Sequence, residues 1–257
     1  LYENLIRQSM EEPDERFFAL VPEQFTMSTQ QKLVELAPNH AIMNIDVLSF
    51  KRLAYRVFDE MGRNDIRVLE ETGKNLVLKK LARREEEHLT VLRPNMNRMG
   101  YIGEVKSLIS ELVQYNVVAR RDELSPVLRA KLQDIVTMYR AFTDFMEGSY
   151  ITAEEILNIL SELAKDSAIL RDSVLVFDEF TGFTPIQNDL MRQLLQVTER
   201  VIVTLTMDAK EDFYLCRGEE ELFYLSKKTI QTLMQMAERL HVEVLEPIVL
   251  EGSADKR

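Results

Sequence analysis

Two hydrophobic rhythms alternate along the chain. Short continuous apolar runs, Phe17 to Val21, Met43 to Leu48, Val174 to Phe177 and Val201 to Leu205, predict strands buried on both faces of a parallel sheet. Elsewhere apolar residues recur every three or four positions. Leu1, Leu5, Ile6 and Met10 predict the tail of a helix, Ser28 to Leu36 a second helix, and Lys51 to about Met61 a third. Strand and helix therefore alternate up to residue 61, as they do in a parallel sheet covered by helices.

From Glu70 to Lys165 only the helical rhythm remains. Leu76, Val77, Leu78 and Leu81 fall on one helix, and Val105, Leu108, Ile109, Leu112 and Val113 on the next. Ser125-Pro126 opens a long helix carrying Leu128, Leu132, Ile135, Val136, Tyr139, Phe142 and Phe145. Thr152 with Glu155 forms a capping box ahead of Ile156, Leu157, Leu160 and Leu163. Stripes this wide predict a packed helical subdomain rather than a lone coiled coil. Strands return after residue 171, Ile230 to Leu240 predicts a helix, and His241 to Leu245 a final strand. The expected division is 1–69 and 171–257 as two parts of one α/β domain, with 70–170 as a large helical insertion.

The sharpest chemistry sits where the third apolar run ends. Val174-Leu-Val-Phe177 is followed at once by Asp178 and Glu179, then by Phe180-Thr-Gly-Phe-Thr-Pro185. Ligands of open α/β sheets bind outside the carboxyl ends of the strands. A strand that ends in Asp-Glu has the form of a Walker B site, in which Asp178 holds Mg²⁺ and Glu179 orients or deprotonates the attacking water. The plainer alternative is a loop starting after a core strand. Gln187 stands three residues after Thr184, with Pro185 between them, so a capping box at a helix start accounts for it better than chemistry does.

Asp178-Glu179-Phe180 with Gln187 resembles the Asp-Glu-Phe-Gln-Asp…Gln segment of superfamily-one DNA helicases of the UvrD and RecB type. The fuller run, Asp-Glu-Phe-Thr-Gly-Phe-Thr-Pro, is similar to the AddB family, one of the two halves of AddAB helicase–nucleases. Two further segments extend the resemblance. Val21-Pro-Glu-Gln-Phe-Thr26 resembles the matching AddB segment, and Val47-Leu-Ser-Phe50 resembles a helicase segment that lies near single-stranded DNA. Taken singly, Glu23, Gln24 and Thr26 also read as helix caps, and Phe50 and Tyr55 as core.

The resemblance implies a RecA-like parallel sheet that lacks its first strand and phosphate loop here and carries a helical insertion. It implies ATP and Mg²⁺ as cofactors, with Gln24 and Gln187 toward the nucleotide and Ser49, Phe50, Lys51 and Arg52 toward DNA. It further implies an AddA-type motor protein as heterodimer partner, duplex ends and single strands as substrate, and recombination repair as the setting. A RecB-type nuclease centre and a 4Fe-4S cluster belong to the family, and both are expected outside these residues. Two rival classes stay open: a scaffold that retains only the sheet, and an unrelated ATPase with a helical insertion.

Composition narrows these options. With 257 residues and 46% hydrophobic content the chain can bury a sizeable core. No run approaches the roughly 18 apolar residues of a membrane span. A single cysteine, Cys216, excludes an internal disulfide framework and a Cys-rich metal site, and fits a reducing, cytoplasmic setting. The net charge of −11 weighs against a stand-alone nucleic-acid binder, although a local basic patch such as Lys51-Arg52, Arg56 or Arg120-Arg121 remains compatible with phosphate contact. A start at Leu1 rather than Met is expected of a piece of a longer chain.

Several tempting motifs fail. Gly73-Lys74 does not complete a phosphate loop, because its first glycine would be Val68 and Asn75 follows the lysine inside a helical pattern. Asp208 stands where the helicases carry Gly-Asp-x-x-Gln, yet no glutamine follows it, so it reads equally as a loop-starting Asp; the departure counts against motor activity in this chain, and the resemblance implies that the partner protein is the motor. His40, His88 and His241 are widely spaced and form no metal motif, and Glu85-Glu-Glu87 reads as a solvated helix face.

Overall fold

A computed structural model describes residues 1–63, 65–114, 125–147, 150–151 and 155–250. The expected caps and phosphate contacts at Thr152, Arg120 and Arg121 fall outside these residues. The described chain divides into two compact units, one of 1–61, 161–183 and 187–257, the other of 62–160 with 184–186.

The first unit is built on four parallel strands, β1 (Arg16–Leu20), β2 (Ile45–Leu48), β3 (Ser173–Phe177) and β4 (Arg200–Val203), in the spatial order β2-β1-β3-β4. Leu20 lies in register with both Leu48 and Phe177, and Phe177 with Val203. The ladder runs one residue further, through Val21 N–H to Leu48 O, Asp178 N–H to Leu20 O and Thr204 N–H to Phe177 O, at 2.9–3.0 Å. Every residue of β3, and all of β1 except Arg16, is buried, whereas β4 is half-buried throughout. Continuous apolar sequence marks the two inner strands because both their faces are covered.

The connecting helices are α1 (Tyr2–Glu11), α2 (Thr26–Leu36), α3 (Phe50–Glu60), α8 (Pro185–Val197) and α9 (Tyr224–Leu240). Leu5 and Ile6 of α1 and Leu33 of α2 share one core with Phe17, Ala19, Val174 and Val176. Asn44 ties the entry of β2 to the end of α1, its amide donating to the carbonyls of Ser9, Glu12 and Glu15 at 3.0–3.1 Å. Glu60, at the end of α3, accepts from the Ser167 hydroxyl and from the Ala168 and Ile169 amides at 2.5–2.9 Å. That contact fixes the turn that leads into β3.

The second unit contains α4 (Glu71–Arg84), α5 (Met99–Gln114), α6 (Pro126–Met146) and most of α7 (Glu155–Leu163). Leu78, Leu81, Ile102, Val105, Ile109, Ile135, Met138 and Phe142 form its core, as the apolar stripes require. A carboxylate is buried beside that core. Asp134 is 1% exposed, and its carboxylate accepts from the amides of Thr90, Val91 and Leu92 at 2.7–3.1 Å and from the Thr90 hydroxyl. Backbone dipoles thus stand in for the water this charge gave up. Gly73-Lys74 lies inside α4, where the buried Lys74 pairs with Glu71 at 3.2 Å.

The expected strand at His241–Leu245 is absent. His241 caps α9 in the left-handed conformation, and residues 242–250 form no ladder. An apolar alternation becomes a strand only beside a partner edge, and here Val244 is 50% and Leu245 67% exposed. Smaller differences concern element ends. Met43 is 98% exposed and lies ahead of β2, α9 begins at Tyr224, and β4 closes at Val203 with Leu205 beyond it.

Asp134→Ala leaves three backbone donors of the 90–92 turn without a partner. The expected cost is about 3 kcal/mol of stability in the helical unit, read as a lower urea midpoint. A wild-type midpoint would mean that the carboxylate contributes nothing there.

Candidate nucleotide and DNA site

Because the four strands are parallel, their carboxyl ends share one edge, and the segments following them meet there. Asp178 is the first residue past β3. Its Oδ2 accepts from the Tyr2 hydroxyl at 2.5 Å, and its Oδ1 from the Thr204 hydroxyl. The first donor comes from the start of α1 and the second from the exit of β4. Burial, followed by the bond to Asp178 and the nearby negative charge, pushes the Tyr2 phenol well above its ordinary range, while a hydrogen bond with Thr29 works the other way. The phenol therefore stays a donor at any physiological pH.

Glu179 next to it is exposed and has a left-handed backbone, with φ at 63°. That conformation costs an L-residue about 1 kcal/mol. It turns the chain sharply out of the sheet, and strain of this kind collects at functional sites. Asp178, Glu179, Phe180 and Thr181 line a cavity of about 530 Å³ together with Leu1, Tyr2, Thr204 to Thr206 and Leu250.

The donor set fits Mg²⁺. That ion takes one or two protein carboxylates and completes its shell with water and phosphate oxygens. Each Asp178 oxygen has given one lone pair to a hydroxyl and keeps another. Among the described residues no group of three or more His, Cys, Asp or Glu side chains could hold a metal by itself.

A second cluster joins the exits of β1 and β2. Ser49 is the N-cap of α3, its Oγ accepting from the Arg52 amide at 3.4 Å. The same hydroxyl donates to Glu23, whose other oxygen accepts from Arg52 Nε at 3.2 Å. Glu23, in a short 3₁₀ turn, thus ties together two of the segments that carry the family resemblance. Lys51 lies 5.9 Å from the Tyr55 ring, and Arg56 pairs with Asp46 at 3.2 Å.

Four phenylalanine rings join these segments to the Asp-Glu loop. Phe50, Phe177, Phe180 and Phe183 touch one another in all six pairings, with centroids 5.3 to 6.5 Å apart. Phe50 is 7% exposed, so its ring is engaged by the fold. Gly182 sits in the same loop against α9, where an added Cβ would stand 3.3 Å from the Thr229 hydroxyl. Close by on α9, the buried Lys227 bonds Glu211 at 2.6 Å and Glu221 at 3.0 Å. Those bonds raise the Lys227 pKa, and the lysine in turn lowers that of Glu221.

Among the residues singled out from sequence, Asp178 and Glu179 stand together on the cavity wall, and Ser49 and Arg52 stand together on Glu23. Gln24 is exposed in the turn after β1, and Gln187 is the third residue of α8; neither is among the residues that line the cavity. Asp208 accepts from the Lys210 amide at 2.9 Å, as a turn residue does. Tyr2 and Thr204 were missed. Nothing local marks them, since each acquires its role only through contact with a residue far off in sequence.

The family described as "ADDB, N-terminal" matches residues 1–257. The chain belongs to the AddB N-terminal family. A relative from Lachnoclostridium phytofermentans, named as the B subunit of an ATP-dependent helicase/deoxyribonuclease, is 42% identical over 97% of this chain and 22% of its own length. Proteins of the same name from Clostridium kluyveri and Caldanaerobacter subterraneus are 30% and 32% identical over 98% and 93% of the chain. The chain spans about a fifth of the length of these relatives (22% and 21% for the latter two). Among the described residues no helix is long and apolar enough to cross a membrane.

Phe50→Ala removes one of four mutually packed rings. The expected loss is about 3 kcal/mol, with faster amide exchange in residues 178–183 as the specific sign. Unchanged exchange in that loop would show that the cluster does not hold it.

Proposed function

We propose that the chain is the N-terminal helicase-like region of the AddB half of an ATP-dependent helicase/deoxyribonuclease, and that it binds or channels DNA from double-strand ends rather than acting as the motor. The observation that carries this reading is Asp178-Glu179 at the carboxyl end of an inner parallel strand, on the wall of a cavity. Ligands of open α/β sheets bind at that place. In this role Asp178 ligates Mg²⁺, Glu179 acts on water, and Gln24 and Gln187 serve the nucleotide. The Mg·ATP supplies the phosphoryl chemistry when bound.

A RecA-like sheet continued by one more strand, the one leading to a phosphate loop, is supported by two open features of the first unit. The outer edge of β4 has no ladder partner among the described residues, and residues 242–250 carry exposed Val244, Leu245, Ile248, Val249 and Leu250 without one. Unpaired apolar edges are a liability that proteins cover.

Toward DNA, Ser49 sets the start of α3, Phe50 anchors it, and Lys51 and Arg52 supply phosphate contact. The exposed Arg52–Glu23 pair is worth little, so a phosphate can replace it at small cost. The motor is assigned to an AddA-type partner. The nuclease centre and iron–sulfur cluster that accompany the family are assigned to residues outside this chain.

One observation favours a scaffold instead. The Ser49 hydroxyl and Arg52 guanidinium already share the Glu23 carboxylate, in a chain of net charge −11. The full-length protein separates the two readings. Single-stranded DNA binding is expected to fall with salt, and Lys51→Ala with Arg52→Ala is expected to lower the log–log salt slope by about 1 to 2 without changing sequence preference. Salt-independent or absent binding leaves the scaffold.

A further inference from the structure

The carboxylate at the centre of the site does not orient itself. Asp178 is only half-buried, and its side chain leaves the sheet at the last ladder bond, from its own amide to Leu20 O at 3.0 Å. Beyond that bond the backbone turns away through the left-handed Glu179. What fixes the carboxylate is a pair of hydroxyls, one per oxygen, delivered from two separate elements by Tyr2 and Thr204.

Both donors are themselves anchored. Thr204 donates its amide to Phe177 O at 2.9 Å, which locks its place beside β3. Tyr2 opens α1, whose Leu5 and Ile6 are buried in the core. The two hydroxyls are therefore presented by rigid elements rather than by loose side chains. Carboxylates that ligate metals are held by outer hydrogen bonds in this way, and such partners tune affinity without touching the ion.

We propose that Tyr2 and Thr204 are positioning residues that hold Asp178 in one orientation and leave its remaining lone pairs for a divalent cation in the cavity. Tyr2 connects the start of α1 to that cation through Asp178, and Thr204 does the same from the exit of β4. A shift of either element alters the cation's ligand before it alters any direct contact. This inference rests on the reading of Asp178 as a metal ligand.

The test uses the full-length protein and Mn²⁺ as the probe, with binding followed by electron paramagnetic resonance. Asp178→Ala defines the signal due to this site. Tyr2→Phe and Thr204→Val are each expected to weaken that signal's Mn²⁺ affinity by about 10-fold or more, while Thr204→Ser, which keeps the hydroxyl, stays within about twofold of wild type. Rescue by serine separates positioning from packing. Should Asp178→Ala remove a binding step that Tyr2→Phe and Thr204→Val leave unchanged, the positioning role is overturned and the metal reading stands. Should Asp178→Ala bind Mn²⁺ as wild type does, the metal reading fails and the positioning role falls with it.

Discussion

Parallel pairing is the constraint on which the first unit depends. Antiparallel strands would send successive loops to opposite ends of the sheet. In the order β2-β1-β3-β4 with every pair parallel, the segments after all four strands are delivered to one edge. Those segments begin at Val21, Ser49, Asp178 and Thr204, and three of the four open on a polar side chain directly after a buried or half-buried strand. The ladder holds them in fixed relation, because the registers of Leu20, Leu48, Phe177 and Val203 lie side by side. The site is thus a consequence of register, and a slip of one residue in β3 would turn Asp178 to the other face.

Two kinds of glue then act at that edge. Apolar glue comes from Phe50, Phe177, Phe180 and Phe183, which bring α3, β3 and the Asp-Glu loop into one cluster of rings. Polar glue comes from two carboxylates that do the same task on different sides. Glu23 collects Ser49 and Arg52 on one side, and Asp178 collects Tyr2 and Thr204 on the other. A carboxylate ringed by donors is a stable arrangement, and it is also one that can exchange a partner. Phosphate can take the place of Glu23 on Arg52, and a cation can share the oxygens of Asp178. The contacts that organise the edge are therefore of the type that ligands would use.

Much of this was legible in the sequence because it is local. Val174 to Phe177 reads as a doubly buried strand from four letters, and Ser125-Pro126 marks a helix start by the chemistry of its own side chains. The helical run from residue 70 is likewise a matter of periodicity. The misread segment, His241 to Leu245, fails for the opposite reason. Its alternation is a property of the segment, but a strand is a property of a pair, and sequence does not show whether the partner edge is present. Tyr2 and Thr204 escaped notice on the same ground, standing 176 and 26 residues from Asp178.

The resemblance to helicases and the geometry bear on different parts of the site. Resemblance picks out Asp178, Glu179, Gln24, Gln187 and the Ser49–Arg52 run as separate short motifs. Geometry regroups them. Phe50 joins the Asp-Glu loop through its ring, Ser49 and Arg52 join the turn after β1 through Glu23, and Gln24 and Gln187 stay off the cavity wall. Asp178 thus meets the Ser49–Arg52 run through the β1 and β3 ladders and through the packed rings. The shortest covalent and packed route between the two runs through Phe177, which belongs to the strand carrying Asp178 and also packs against Phe50.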